Sequence, residues 1–140
     1  LSDAASLEVY SPDGRELPAE INDLSMLALV RCEEQTALFT GDLSQVGEPV
    51  FIPDTDVLKV AHHGSSKGTS ERFLADASPD IAVISVGENN YGHPDEETLA
   101  RLAASGAEIW QTRQWGAITL RHLGDGWHIQ TYREASNEVE

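Results

Sequence analysis

The order of apolar runs and turn residues predicts an α/β (α+β) domain built on a mixed sheet, with hairpins at both ends and two main helices. Three observations carry that reading. Between residues 57 and 112, short apolar runs alternate with helix-length amphipathic segments, the pattern of strands joined by crossovers. On either side, β-rich runs are paired across short polar turns, as in hairpins. With 140 residues, 40% of them hydrophobic, the chain is long enough for one core. A single domain over residues 1–133 with a polar tail at 134–140 is therefore expected.

In order, Leu7-Glu8-Val9-Tyr10 reads as a strand and Ser11-Pro12-Asp13-Gly14 as a turn, because Pro and Gly supply the dihedrals of a reversal. Residues 15–25 are polar and read as loop. Met26 to Cys32 and Thr36 to Thr40 are β-rich runs flanking Glu33-Glu34-Gln35, an antiparallel hairpin that ends at Gly41-Asp42. Gly47, Pro49 and Pro53 make residues 43–56 a connection. Val57-Leu58-Lys59-Val60 is a short strand leading to Ala61-His62-His63-Gly64-Ser65-Ser66. Thr69-Ser70 can cap a helix from Glu71 to Ala77, with Phe73, Leu74 and Ala77 on one face and Pro79 as its stop. Ile81 to Val86 is a continuous apolar run, the signature of a strand buried on both faces. It opens into Gly87-Glu88-Asn89-Asn90-Tyr91-Gly92-His93-Pro94. Pro94 suits a first helical turn and Asp95, Glu96 and Glu97 suit the positive end of a helix dipole, so 94–105 reads as a helix closed by Gly106. Strands at 108–112, 116–121 and 127–132 follow, the last two as a hairpin around Gly124-Asp125-Gly126.

Composition narrows the function classes. Twenty-four acidic residues against nine Lys plus Arg give a formal charge of −15, which opposes nonspecific attraction to a nucleic-acid backbone. Any nucleic-acid chemistry must rest on a local site, for example one neutralised by metal. No apolar run approaches the ~20 residues of a membrane span, so direct membrane insertion of this segment is not expected. The single cysteine, Cys32, cannot form an internal disulfide and reads as a small core or strand residue.

Three polar clusters each follow a predicted strand, where catalytic side chains collect in α/β sheets. In Thr40-Gly41-Asp42 the glycine permits a sharp turn and presents a carboxylate at the sheet rim, able to bridge two divalent ions through its two oxygens. Gly-Asp after a strand is also a common plain turn. In His62-His63-Gly64-Ser65-Ser66, adjacent histidines on an extended segment would point to opposite sides. One can then face a metal while the other faces a substrate or supports the site from behind. In Asn89-Asn90-Tyr91-Gly92-His93-Pro94, amide, phenol and imidazole groups meet at a helix N-terminus, which favours anions and offers His93 as acid, base or donor. His122 and His128 lie in alternating strand patterns and read as surface or cross-strand residues.

Taken together, Leu38-Phe39-Thr40-Gly41-Asp42, Leu58-Lys59-Val60-Ala61-His62-His63-Gly64-Ser65, and Ile84-Ser85-Val86-Gly87 with Asn90-Tyr91-Gly92-His93-Pro94 resemble, in order and spacing, the ComEC-type competence proteins, whose C-terminal metallo-β-lactamase-like domain belongs to a membrane DNA-uptake channel. Asn22 to Leu29 is similar to the family's Asn-x-x-Ser-hydrophobic segment. The resemblance covers about residues 20–120. It implies half of an αββα sandwich, namely the C-terminal half of a metallo-β-lactamase-like domain, with a site for two divalent ions, zinc or manganese. It further implies that Asp42 is the bridging ligand and that one histidine of the His62-His63 pair is the last ligand; His63 is taken as that ligand and His62 as its substrate-facing or supporting neighbour, the reverse order being the alternative. His93 corresponds to a rim residue that contacts substrate, so Asp42, His62 and His93 are the expected catalytic set.

The hallmark His-x-His-x-Asp-His segment of that family is not found in these residues. Asp42 and His63 supply two ligands where zinc wants three or more per ion, so the chain alone is expected to hold metal weakly and catalyse poorly. Intact clusters at all three strand ends favour a piece of a larger domain over a natural half-domain. The function implied is a phosphodiesterase or nuclease acting on single-stranded DNA during uptake, in a soluble domain on the extracytoplasmic side of a bacterial inner-membrane protein. The alternatives are a small-phosphoester hydrolase of the same fold and a noncatalytic docking module of the channel. An uncovered sheet edge would also favour pairing with a second copy.

Overall fold

The computed structural model describes residues 5–11, 21–124 and 126–133. Its centre is a six-stranded sheet in simple sequence order, formed by β1 (Ala5–Tyr10), β2 (Leu27–Cys32), β3 (Gln35–Phe39), β4 (Val57–Lys59), β5 (Ile81–Ile84) and β6 (Glu108–Gln111). The first three strands are antiparallel neighbours, and β3 to β6 run parallel. The sheet is thus mixed, as the sequence predicts. Its N-terminal part is a three-strand meander and not a lone hairpin, because Ala5 to Tyr10 pairs with β2 along its whole length.

Parallel neighbours need crossovers, and α1 (Glu71–Ala77) and α2 (Glu96–Ser105) supply two of them. Ser70 caps α1 by accepting from the Phe73 amide at 3.0 Å, as expected of that position. Asp95 caps α2 by accepting from the Glu97 amide at 3.0 Å, and Gly106 closes it at φ 88°. Pro94 therefore lies before the cap and not in the first turn, a correction to the predicted start. The Asp95 side chain takes the cap because it can accept the orphan amide, which proline cannot.

Alternation across the sheet selects the core. Leu29, Leu38, Leu58 and Ala82 are register neighbours on four successive strands, and all are fully buried. Phe73, Leu74 and Ala77 of α1 and Leu102 of α2 belong to the same cluster, so this row faces the helices. Each such leucine contributes roughly 1.5–3 kcal/mol relative to exposure. On the other sheet face, Ala37, Phe39, Val57 and Val83 line an apolar space of about 350 Å³ with Ile118, Leu120 and Trp127.

The C-terminal strands depart from expectation. Thr112–Trp115 is a helical turn, α3, and β7 (Ile118–Leu123) and β8 (Gly126–Thr131) form a separate two-stranded sheet. Gly116, at φ 70°, breaks the strand predicted from residue 116. Ile21–Leu24, within the expected loop, is a 3-10 turn. Cys32 ends β2 and is exposed, a strand residue outside the core. The predicted turn at Pro12-Asp13-Gly14, the hairpin residue Asp125 and the tail at 134–140 lie outside the described residues. No helix among the described residues is long and apolar enough to cross a membrane.

Candidate functional site

Because β3, β4 and β5 are parallel, the segments that follow them emerge at one edge of the sheet. The first carries Asp42, the second His62 and His63, and the third Ser85 and the loop to His93. They are tied by backbone bonds: the His62 amide donates to the Gly41 carbonyl at 3.1 Å, and the Asp95 amide donates to the Gly64 carbonyl at 2.9 Å.

The histidine pair is not extended. His62 (φ 46°, ψ 47°) and His63 (φ 55°, ψ 22°) are both left-handed, and the turn closes with the Ser65 amide donating to the His62 carbonyl at 2.9 Å. Two consecutive left-handed residues bend the chain, so the side chains do not diverge to opposite faces as in a strand. Their ring centroids are 6.2 Å apart. Gly64, at φ 83°, lets the turn sit under the next loop, since an added Cβ there would lie 2.7 Å from the Pro94 Cβ. That contact brings His93 to 5.7 Å from His62, ring to ring.

The Nδ1 of His63 lies 2.7 Å from the Ser85 carbonyl oxygen. A carbonyl only accepts, so Nδ1 carries the proton and the neutral ring presents its lone pair on Nε2. Nε2 lies 3.8 Å from Asp42 Oδ1, and both side chains are about half exposed. Zinc–nitrogen and zinc–oxygen bonds of about 2.0–2.2 Å sum to roughly 4.2 Å, so two donors at this separation can share one ion. Among the described residues, no group of three or more His, Cys, Asp or Glu side chains is placed to hold a metal. Asp42 and His63 therefore fit as two ligands of a site and not as a whole one.

The supporting residues include several to which the sequence assigned no role. The Ser25 hydroxyl accepts from the Asp42 amide at 3.1 Å, and an added Cβ on Gly41 would lie 3.0 Å from the Ser25 Cβ, so this serine seats the Gly41-Asp42 turn. Asn22 Nδ2 lies 3.5 Å from His62 Nδ1, a long contact; an amide donating there would put the neutral ring's proton on Nε2. These two residues are the polar ends of the Asn-x-x-Ser segment, whose pattern alone did not reveal what it touches. Lys59 Nζ donates to the Gly41 carbonyl at 3.2 Å. Burial pushes its pKa down and the Asp42 carboxylate pulls it back. His93 Nδ1 is buried without a protein partner, and its pKa is lowered by burial first and then by His62 and His63, against an upward pull from Asp95.

A cavity of about 480 Å³ opens beside these groups, lined by His63, Ser85, Gly87, Tyr91, His93 and Thr112 among others. All four expected residues, Asp42, His62, His63 and His93, thus lie in one connected patch. His122 and His128 are exposed on the separate hairpin, with His122 edge-on to Trp127 at 5.3 Å. The patch turns a carboxylate and an imidazole towards one point as two of the ligands a cation needs, with a second imidazole beside them.

A family model described as the metallo-beta-lactamase superfamily matches residues 18–88. The chain is 36% identical over 120 residues to "ComE operon protein 3" of Bacillus subtilis (strain 168), covering 81% of this chain and 15% of that protein. It is 33% identical over 130 residues to "Recombination protein 2" of Haemophilus influenzae, covering 90% of the chain and 16% of the relative. Against "Competence protein ComA" of Neisseria gonorrhoeae, identity is 33% over 131 residues, or 89% and 19% of the two. The chain thus spans less than a fifth of the length of these relatives.

Proposed function

Since the chain belongs to the metallo-β-lactamase superfamily and is homologous to ComEC-type competence proteins, we propose that it is the C-terminal half of a metal-dependent phosphodiesterase domain acting on DNA during uptake. The observation that carries this reading is the convergence of Asp42 Oδ1 and His63 Nε2 at 3.8 Å, with His63 anchored from behind by the Ser85 carbonyl. An anchored imidazole facing a carboxylate is the arrangement that serves a cation.

Asp42 and His63 would hold two divalent ions, zinc or manganese, together with further donors from the rest of the longer protein. When bound, such ions neutralise phosphate charge and acidify a water. The chain's own residues do the rest. Asp42 and His63 fix the cation side of the site. His62, with its proton on Nε2, donates to a phosphate oxygen, while His93 contacts the substrate from the rim. A local cation also offsets the field of a chain with net charge −15. The parent is an inner-membrane protein of the uptake channel, with this domain on the extracytoplasmic side.

That same charge favours one alternative, a hydrolase of small phosphoesters, for which long-range repulsion matters less. The test is hydrolysis of single-stranded DNA and of small phosphodiesters by the intact protein with Mn²⁺ and with chelator. Asp42→Ala and His63→Ala should each slow DNA cleavage by roughly a hundredfold or more, corresponding to about 2.7 kcal/mol or more of lost transition-state stabilisation. Full activity in both variants would sink the assignment. Cleavage confined to small esters would select the alternative, and no metal affinity in the intact protein would leave a docking module.

A further inference from the structure

We infer that the exposed ring of Tyr91 is the platform on which one unpaired nucleobase stacks, so that the site takes single-stranded nucleic acid in preference to duplex or base-free phosphodiesters. The inference rests on the phosphodiesterase reading and specifies how its substrate is recognised.

Tyr91 is 85% exposed, so its ring adds almost nothing to the core. Yet the backbone beneath it is fixed. Asn89 Oδ1 accepts from the Tyr91 amide at 3.0 Å and the His93 amide at 3.1 Å, while Asn89 Nδ2 donates to the Gly87 carbonyl at 3.0 Å and the His93 carbonyl at 2.8 Å. One side chain thus clamps both sides of the loop tip. A large aromatic ring held in solvent on a clamped loop is partly preorganised contact surface, because the backbone that carries it is already ordered and only side-chain torsions remain to be fixed on binding.

The ring's surroundings say what that surface meets. One face of Tyr91 stacks on His93, with centroids 6.1 Å apart and planes 22° from parallel. His93 meets His62, and His62 meets His63, at centroid separations of 5.7 and 6.2 Å. Tyr91, His93 and His63 line the same cavity, so a chain with its phosphate near His63 can lay a base on the tyrosine. Gly87, also in the lining, faces open space, with no described atom beyond its chain neighbours within 4 Å of where a Cβ would stand.

Charge points the same way. None of the described residues lining this cavity is Lys or Arg, and the chain carries −15 overall, so ionic contacts to several phosphates are not the source of affinity. Stacking is neutral and tolerates every base, since each has a π-face. A base inside a duplex has both faces covered by its neighbours, whereas an unpaired one has a face to give.

The test compares KM for oligothymidylate with KM for the same strand carrying abasic sites beside the scissile phosphate, using the intact protein with Mn²⁺. Removing the base should raise KM about tenfold, within the range of one aromatic–base stack. Tyr91→Ala should raise KM for the ordinary strand to a similar degree and collapse the difference between the two substrates, while Tyr91→Trp should preserve it. Without metal, oligothymidylate should quench fluorescence in Tyr91→Trp more than in the unaltered protein. Equal KM for both strands, or a preference that survives Tyr91→Ala, overturns the inference and leaves the phosphodiesterase reading standing. Cleavage of neither strand overturns that reading and the inference with it.

Discussion

Arg101→Ala should lower the stability of the chain by about 3 kcal/mol and loosen the segment that follows the histidine pair. Arg101 is only 9% exposed. Its Nε donates to the Thr69 carbonyl at 3.1 Å, and its Nη2 donates to the carbonyls of Ser66 at 3.0 Å and Gly68 at 3.1 Å and to Thr98 Oγ1 at 3.0 Å. Thr98 Oγ1 in turn donates to the Ser65 carbonyl at 2.9 Å, so α2 grips residues 65–69 along their length. Alanine removes the guanidinium from all of these at once. The Ser66 carbonyl keeps Gln45 Nε2 at 3.0 Å, but those of Gly68 and Thr69 are left to find water. Each buried acceptor so stranded costs about 1–3 kcal/mol. Relief from burying the charge offsets part of the sum. The exposed partner Glu97, at 3.0 Å from Nη1, contributes only tenths. At about 3 °C per kcal/mol for a domain of this size, thermal unfolding should shift down by roughly 10 °C. Amide exchange at Ser65 and Gly68 should accelerate. Arg101→Lys should recover little, because an ammonium cannot reach three carbonyls as a planar fork does. A shift under about 3 °C with exchange unchanged would refute the claim that the guanidinium holds this segment.

Gly64→Ala combines a left-handed residue with a Cβ 2.7 Å from that of Pro94, and should cost roughly 2–4 kcal/mol in urea unfolding while separating His62 from His93. A cost under about 0.5 kcal/mol would show that the two loops are not held by this contact. Asp56→Ala removes the carboxylate oxygen that accepts from the Thr36 amide at 2.6 Å and its hydroxyl at 3.0 Å, and should lower the unfolding free energy by about 1–3 kcal/mol, seen as a lower urea midpoint at unchanged slope. The folded-state pKa of His93 lies below its ordinary value of 6.5, so the unfolded chain binds its proton more tightly. Stability from this source is intact above that value and is lost as pH falls from 6.5 towards the folded pKa. His93→Gln should flatten that part of the acid limb in metal-free chain, and an unaltered limb would assign it to other groups.

Much of the fold was legible because the sheet's inward row is apolar on every central strand. Leu29, Leu38, Leu58 and Ala82 fall on the predicted runs, and residues of the same periodicity on α1 cover them. The three polar clusters were also legible, since a parallel sheet places successive strand ends together. The course of His62 and His63 was not. Neither residue is glycine, and nothing local marks two consecutive left-handed positions. They are imposed by partners distant in sequence, the Gly41 carbonyl and Pro94. The work of Asn22, Ser25 and the Ser85 carbonyl was hidden for a related reason: a polar group in a loop reads as solvated until the chain folds it against its partner. At the C-terminus, alternation marked β7 and β8 but could not say which sheet they join, because the register of strand pairs depends on contacts outside both runs.

The central claim is that Asp42 and His63 together serve a cation while His62 does not. Calorimetric titration of Zn²⁺ and Mn²⁺ into the intact protein tests it directly, with Asp42→Ala, His63→Ala and His62→Ala measured beside it. The account predicts a loss of about a hundredfold or more in affinity for the first two, since a removed ligand costs more than the 10- to 100-fold of a supporting residue, and a smaller loss for His62→Ala. Affinity unchanged in Asp42→Ala and His63→Ala, or lost only in His62→Ala, would contradict it.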